Sequence, residues 1–127
     1  MPDCYKDITP DHGPDGPDYL HKCKLVKMTL KAGAKDVPHW HPVHYMYVVT
    51  GGKVRIVGAP APPGETLEVE LQAGAGMHMP AGDHVVENIG DTDIELYFLE
   101  DFNGGKRGST PDSHTACYDT DPEHYNV

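Results

Sequence analysis

An alternation of apolar and polar residues with a period of two runs through the middle of the chain. Val26, Met28 and Leu30 alternate with Lys27, Thr29 and Lys31. Leu67, Val69 and Leu71 alternate with Glu68, Glu70 and Gln72, and Ile94, Leu96 and Phe98 alternate with Glu95, Tyr97 and Leu99. Side chains two apart on a strand share a face, so each set predicts a strand with one buried side. Residues 43–49 are rich in β-branched and aromatic side chains, and Gly51-Gly52 gives a tight connection into residues 53–57. Residues 77–80 and 85–88 predict two shorter strands around a turn. Gly33, the loop 58–64, Gly74, Gly76 and Gly90 punctuate the series. No run of helical period precedes residue 100. Short strands at this spacing, about seven or eight of them, predict an all-β sandwich or barrel.

The two ends read differently. Residues 1–22 are polar and turn-rich, and the prolines and glycines of residues 11–18 exclude a helix there. That stretch lacks the ligand spacing and closing glutamate of a calcium-binding EF-hand, so a solvated loop is expected. Residues 101–127 are again polar and predict an irregular tail, disordered by default, or an arm anchored by Cys117, Tyr118 and Tyr125. The expected organisation is one β domain over 23–100 between two irregular arms.

A length of 127 residues with 38% hydrophobic side chains suits one core. The formal net charge of −10 argues against nucleic acid, whose phosphates would be repelled. No apolar stretch reaches membrane-span length and nothing resembles a signal peptide, so a cytoplasmic protein without membrane contact is expected. Cys4, Cys23 and Cys117 lack metal-like spacing and are expected as reduced thiols, with a bridge between the two ends as the alternative.

The chemistry concentrates in two short motifs. His39-Trp40-His41 places two imidazoles on one face of a strand, and Pro80-Ala81-Gly82-Asp83-His84 brings a third histidine in from a turn. Three converging imidazoles would bind a divalent metal. Histidine pairs also occur on solvated strand faces, so the motif needs its strand context to carry the reading.

These residues resemble the cupin superfamily. Gly33, His39, His41 and Gly52 follow its first motif, and Gly74, Pro80, Gly82, His84 and Asn88 follow its second. More narrowly, His39-Trp40-His41-Pro42, residues 47–49, 51–55 and 86–92 are similar to small single-domain cupins, a group that includes proteins of β-alanine degradation. The resemblance spans about residues 24–100 and implies a cupin-type β-barrel of the jelly-roll kind. There are two departures. Tyr45 stands where cupins usually carry a glutamate ligand, with no carboxylate nearby to replace it, and His84 comes one residue early.

The resemblance implies a three-histidine centre like that of dioxygenases, with Fe(II) favoured and nickel, zinc, manganese or copper also suited to three nitrogens. It also implies pairing of two copies into a homodimer. Tyr45, placed four residues after His41 and so on its face, is expected near a bound ligand or packed in its strand. His44 is expected on the opposite face, or as a fourth ligand if Pro42 disturbs the strand. His78 is a further candidate acid or base. Asn88 is expected to orient a ligand or satisfy buried backbone. Arg55 would pair with a substrate carboxylate if it points inward, and Trp40 would line the barrel mouth or the core. The leading function is a metal-dependent, dioxygenase-like enzyme on a small organic acid, dicarbonyl compound or enol. The competing readings are a non-catalytic metabolite-binding barrel and a metal-independent isomerase or epimerase.

Overall fold

The computed structural model describes residues 4–10, 23–62 and 64–101. Nine strands form two antiparallel sheets, and no helix occurs among the described residues. The strands are β1 (Tyr5–Asp7), β2 (Cys23–Leu30), β3 (His39–His41), β4 (Val43–Thr50) and β5 (Gly52–Gly58), followed by β6 (Thr66–Leu71), β7 (Gly76–Met79), β8 (Gly82–Asn88) and β9 (Ile94–Asp101). One sheet has the order β1-β2-β9-β4-β7 and the other β3-β8-β5-β6. The alternation seen in the sequence is the inside–outside alternation of the strands. Val26, Met28 and Leu30 of β2 face inward, as do Ile94, Leu96 and Phe98 of β9. With Val48, Val54 and Ile56 they join one cluster between the sheets. Burying each such side chain contributes about 1.5–3 kcal/mol relative to leaving it in water.

Two features differ from the sequence expectation. Residues 5–7 are a strand paired with β2, Tyr5 opposite Met28, where the sequence suggests only an irregular arm. Three residues cannot show a period, but Tyr5 is buried and joins the core. The second feature is the phase change at Pro42. β3 belongs to one sheet and β4 to the other, so the chain crosses between sheets at the fully buried Pro42. Alternation restarts after the crossing. His39 and His41 are buried on β3, then His44, Met46 and Val48 on β4, while Tyr45, Tyr47 and Val49 are exposed.

No helix among the described residues is long and apolar enough to cross a membrane. Cys4 and Cys23 are half-buried, and Cys117, Tyr118, Tyr125 and the expected tail lie outside the described residues.

Candidate metal centre

Pairing of β3 with β8 builds the centre. The register sets His39 opposite His84 and His41 opposite Gly82. Period-two alternation puts His39 and His41 on one face, and the cross-strand partner adds His84 to it. The three rings lie 4.5–4.9 Å apart between centroids, and one ligand nitrogen from each falls within 4.8 Å of the others. Gly82 matters for close approach. A Cβ there would sit 2.5 Å from the Ala59 side chain, and Ala59 supplies the carbonyl that holds His84.

Hydrogen bonds fix the protons on these rings. Nδ1 of His39 lies 2.6 Å from the Val37 carbonyl and Nδ1 of His84 lies 2.8 Å from the Ala59 carbonyl. A carbonyl oxygen only accepts, so each Nδ1 carries the proton and each Nε2 keeps its lone pair. Nδ1 of His41 lies 2.6 Å from Oε2 of Glu100 on β9. Carboxylate and carbonyl partners behind metal-binding histidines fix the tautomer and make the ring a better donor. Burial holds the His39 and His84 imidazoles neutral. It pushes His84 down to about 4 and, with the neighbouring His41 and His84, pushes His39 well below the usual histidine range.

The Nε2 atoms then converge at the centre. Those of His39 and His41 lie 2.7 Å apart. If both rings are protonated on Nδ1, two lone pairs face each other. Nε2 of His84 is buried and has no hydrogen-bond partner among the described residues. The Tyr5 hydroxyl donates to Asp36 at 2.8 Å and turns its oxygen to His39 Nε2 at 3.2 Å. A buried polar atom without a partner costs about 1–3 kcal/mol. A cation among these donors removes both the repulsion and the orphan, so the residues fit a divalent metal.

Several other candidates lie elsewhere. Tyr45 is 57% exposed on the outer face and packs edge-on against His78 with ring centroids 5.0 Å apart; neither reaches the centre. The expectation that Tyr45 shares the face of His41 is therefore corrected, because the crossing at Pro42 resets the alternation. Arg55 is also outside, bridged to Glu87 at 3.0 Å and to Glu68 at 3.9 Å. Its strand presents Val54 and Ile56 inward. Trp40 is buried in the apolar cluster. Asn88 is fully buried and donates to the Leu30 and Thr92 carbonyls while accepting from the Gly90 amide, which leaves it serving backbone. His44 is buried beside His41, 4.8 Å between ring centroids, but lies outside the three-nitrogen group. It donates through Nδ1 to the Pro42 carbonyl, and burial pushes it down to about 4.

Sequence reasoning missed Glu100, Asp36 and Tyr5. Glu100 is fully buried on β9, opposite His44 in register. The expectation that no carboxylate lies near the histidines is corrected, since this one arrives through a strand distant in sequence. Its only signal is position: in the alternation Ile94, Leu96, Phe98, the next inward place is 100. Asp36 is buried, accepts from the Val86 amide and the Tyr5 hydroxyl, and is pushed up to about 7 by burial. Its proximity to His39 Nδ1, at 3.7 Å, is too long for a hydrogen bond, so the Val37 carbonyl is the working partner.

With this geometry in hand, likeness to solved structures decides the fold. A cupin domain protein from Bordetella pertussis has a TM-score of 0.59 at 18% identity, with 80% of this chain and 91% of that one covered. The fold is that of the cupins. A cupin-like protein from Thermotoga maritima matches with a TM-score of 0.54 at 16% identity, covering 76% of this chain and 66% of that one. The DMSP lyase DddQ of Ruegeria pomeroyi matches with a TM-score of 0.52 at 15% identity, and the chain spans only 45% of it. At these identities the likeness shows the cupin fold alone and carries nothing about the narrower β-alanine group. No protein-family model matches the chain, and no curated protein does.

Proposed function

We propose that this cupin-fold protein is a metal-dependent enzyme in which His39, His41 and His84 hold one divalent ion. The observation that carries the reading is the convergence of three buried imidazoles, two of them anchored at Nδ1 by backbone carbonyls and the third by Glu100. Supporting it, the same fold serves an enzyme in the DMSP lyase neighbour. When bound, the ion supplies a Lewis acid with open positions for a substrate oxygen or sulfur.

The chain's own residues do the rest. Val37, Glu100 and Ala59 hold the three rings in one tautomer and orientation. Glu100 is the carboxylate of the centre and stands behind His41, where it lowers the net charge without occupying a coordination position. His44, neutral and with its Nδ1 proton committed to Pro42, keeps Nε2 as an acceptor for a substrate proton. The apolar cluster around them excludes water.

Ferrous iron and oxygen-dependent chemistry are the combination favoured by the resemblance to three-histidine dioxygenases, while three nitrogens suit zinc, nickel and copper as well. The test is oxygen uptake by iron-loaded protein offered enols, 1,3-dicarbonyl compounds and thiols. Uptake that depends on both iron and His41 supports the reading. A metal-loaded protein that turns over none of these, with any metal, overturns it.

A further inference from the structure

Beside the centre lies a cavity of about 100 Å³ between the sheets. Among the described residues Tyr5, His44 and His84 are its only polar lining residues, and they face it with carbon atoms, so it borders the centre along the His84 ring. The remaining wall is apolar, with Met28, Met46, Met77 and Met79 prominent. Among the described residues no Lys, Arg, Asp or Glu lines it. The basic residue that the sequence offers for a substrate carboxylate, Arg55, is outside and paired with Glu87 and Glu68. The buried side chains able to carry charge around it are both acidic: Asp36, bonded to the wall residue Tyr5, and Glu100, behind His41.

Resting on the metal reading above, we propose that this cavity takes a small ligand with an uncharged, apolar body and a single oxygen or sulfur donor at the metal end. A second charged group would enter an apolar space without a counter-charge or hydrogen-bond donors to replace its water, a loss of several kcal/mol. Apolar cavities of about 150 Å³ take benzene, so a volume near 100 Å³ limits the body to about four non-hydrogen atoms. Methionine side chains are unbranched and polarisable, which suits a wall that adapts to bodies of different shape and favours sulfur-containing or unsaturated ones. Organic diacids, and thiols or enols with a carboxylate tail, are excluded as preferred ligands. That narrows the substrate from organic acids to neutral carbonyl compounds, enols and thiols.

Two thiols of similar size test this, since both offer the metal the same donor and differ in tail charge. Protein loaded with cobalt(II) is titrated with butane-1-thiol and with 3-mercaptopropionate, read by the sulfur-to-cobalt absorption band. Butane-1-thiol is expected to bind at least about tenfold tighter. Equal affinity, or tighter binding of the acid, overturns the proposal while leaving the metal centre intact. Metal-free protein is titrated in parallel with xenon, an apolar probe small enough for the cavity, and followed by amide NMR shifts. Saturable shifts confined to residues around the cavity support the proposal even if no metal binds, and their absence overturns it. The variant Met77→Phe, at a partly exposed wall position, fills the space. It is expected to weaken both apolar ligands at least about fivefold with folding and cobalt content unchanged. Unchanged affinity in that folded variant places the ligands elsewhere and contradicts the assignment.

Discussion

The two ends of the interior are built on opposite rules. At the histidine end every ring of the group is held from behind, the inner nitrogens of His39 and His41 are crowded, and that of His84 has no partner among the described residues. At the methionine end polar groups are scarce and an open volume remains. Buried polar atoms normally find partners within the protein. Where they converge on one another instead, the missing partner comes from outside. Where apolar side chains leave a gap, the energetic loss is smaller and a ligand body fills it. On this difference rests our proposal of a metal ion at one end and the body of an organic molecule at the other.

The comparison is broken most directly at the histidine end. His84→Ala removes one of three ligands, and metal content is expected to fall to background, with affinity reduced by at least about a thousandfold. Elemental analysis of the folded variant checks this, with circular dichroism as the control for folding. Next comes Glu100→Gln, which keeps shape but weakens the hold on His41. A loss of about 10- to 100-fold in metal affinity is expected, the usual effect of removing such a supporting carboxylate. A competition assay with a chromophoric chelator measures it, and unchanged affinity would mean that Glu100 only fills space.

Acidity gives a graded version of the same contrast. His84 and His44 are each pushed down to about 4, from 6.5 when unfolded, and His39 is depressed in the same sense. A depressed histidine stabilises the fold fully above its unfolded value and loses that contribution as pH falls through the folded one. Metal-free protein is therefore expected to lose stability from pH 6.5 down to about 4, by roughly 3 kcal/mol for each of His84 and His44. Asp36, raised from 3.8 to about 7, runs the other way and partly offsets the loss. Urea unfolding at a series of pH values reads the net slope. Bound metal should flatten the profile above pH 5 or so by holding the rings unprotonated.

The smallest effects belong to the outer face. Arg55→Ala removes exposed ion pairs and is expected to cost less than about 1 kcal/mol with no change in metal content. Tyr45→Phe and His78→Ala should likewise leave the metal in place.

The outer face also marks where the sequence stops being legible. Strand alternation reads correctly in β2 and β9, and only in part in the edge strand β6, where Leu71 is buried but Leu67 is exposed. It fails for Tyr45 because Pro42 carries the chain from one sheet to the other, and no local pattern reports that crossing. His39, His41 and His84 were legible because alternation and a turn motif are local signals. Glu100 was not, since its role depends on β9 lying beside β4, a pairing across more than half of the domain. Tyr5 and Asp36 were hidden for a similar reason, as each gains its meaning from the other across the fold.

The central claim is that one metal ion occupies the three-histidine centre. Elemental analysis of protein purified without an affinity tag or chelator, before and after addition of divalent metals, tests it most directly. About one equivalent per chain in the natural protein and none in His41→Ala is the expected result. No metal before or after addition, or the same metal content in folded His41→Ala, would contradict it.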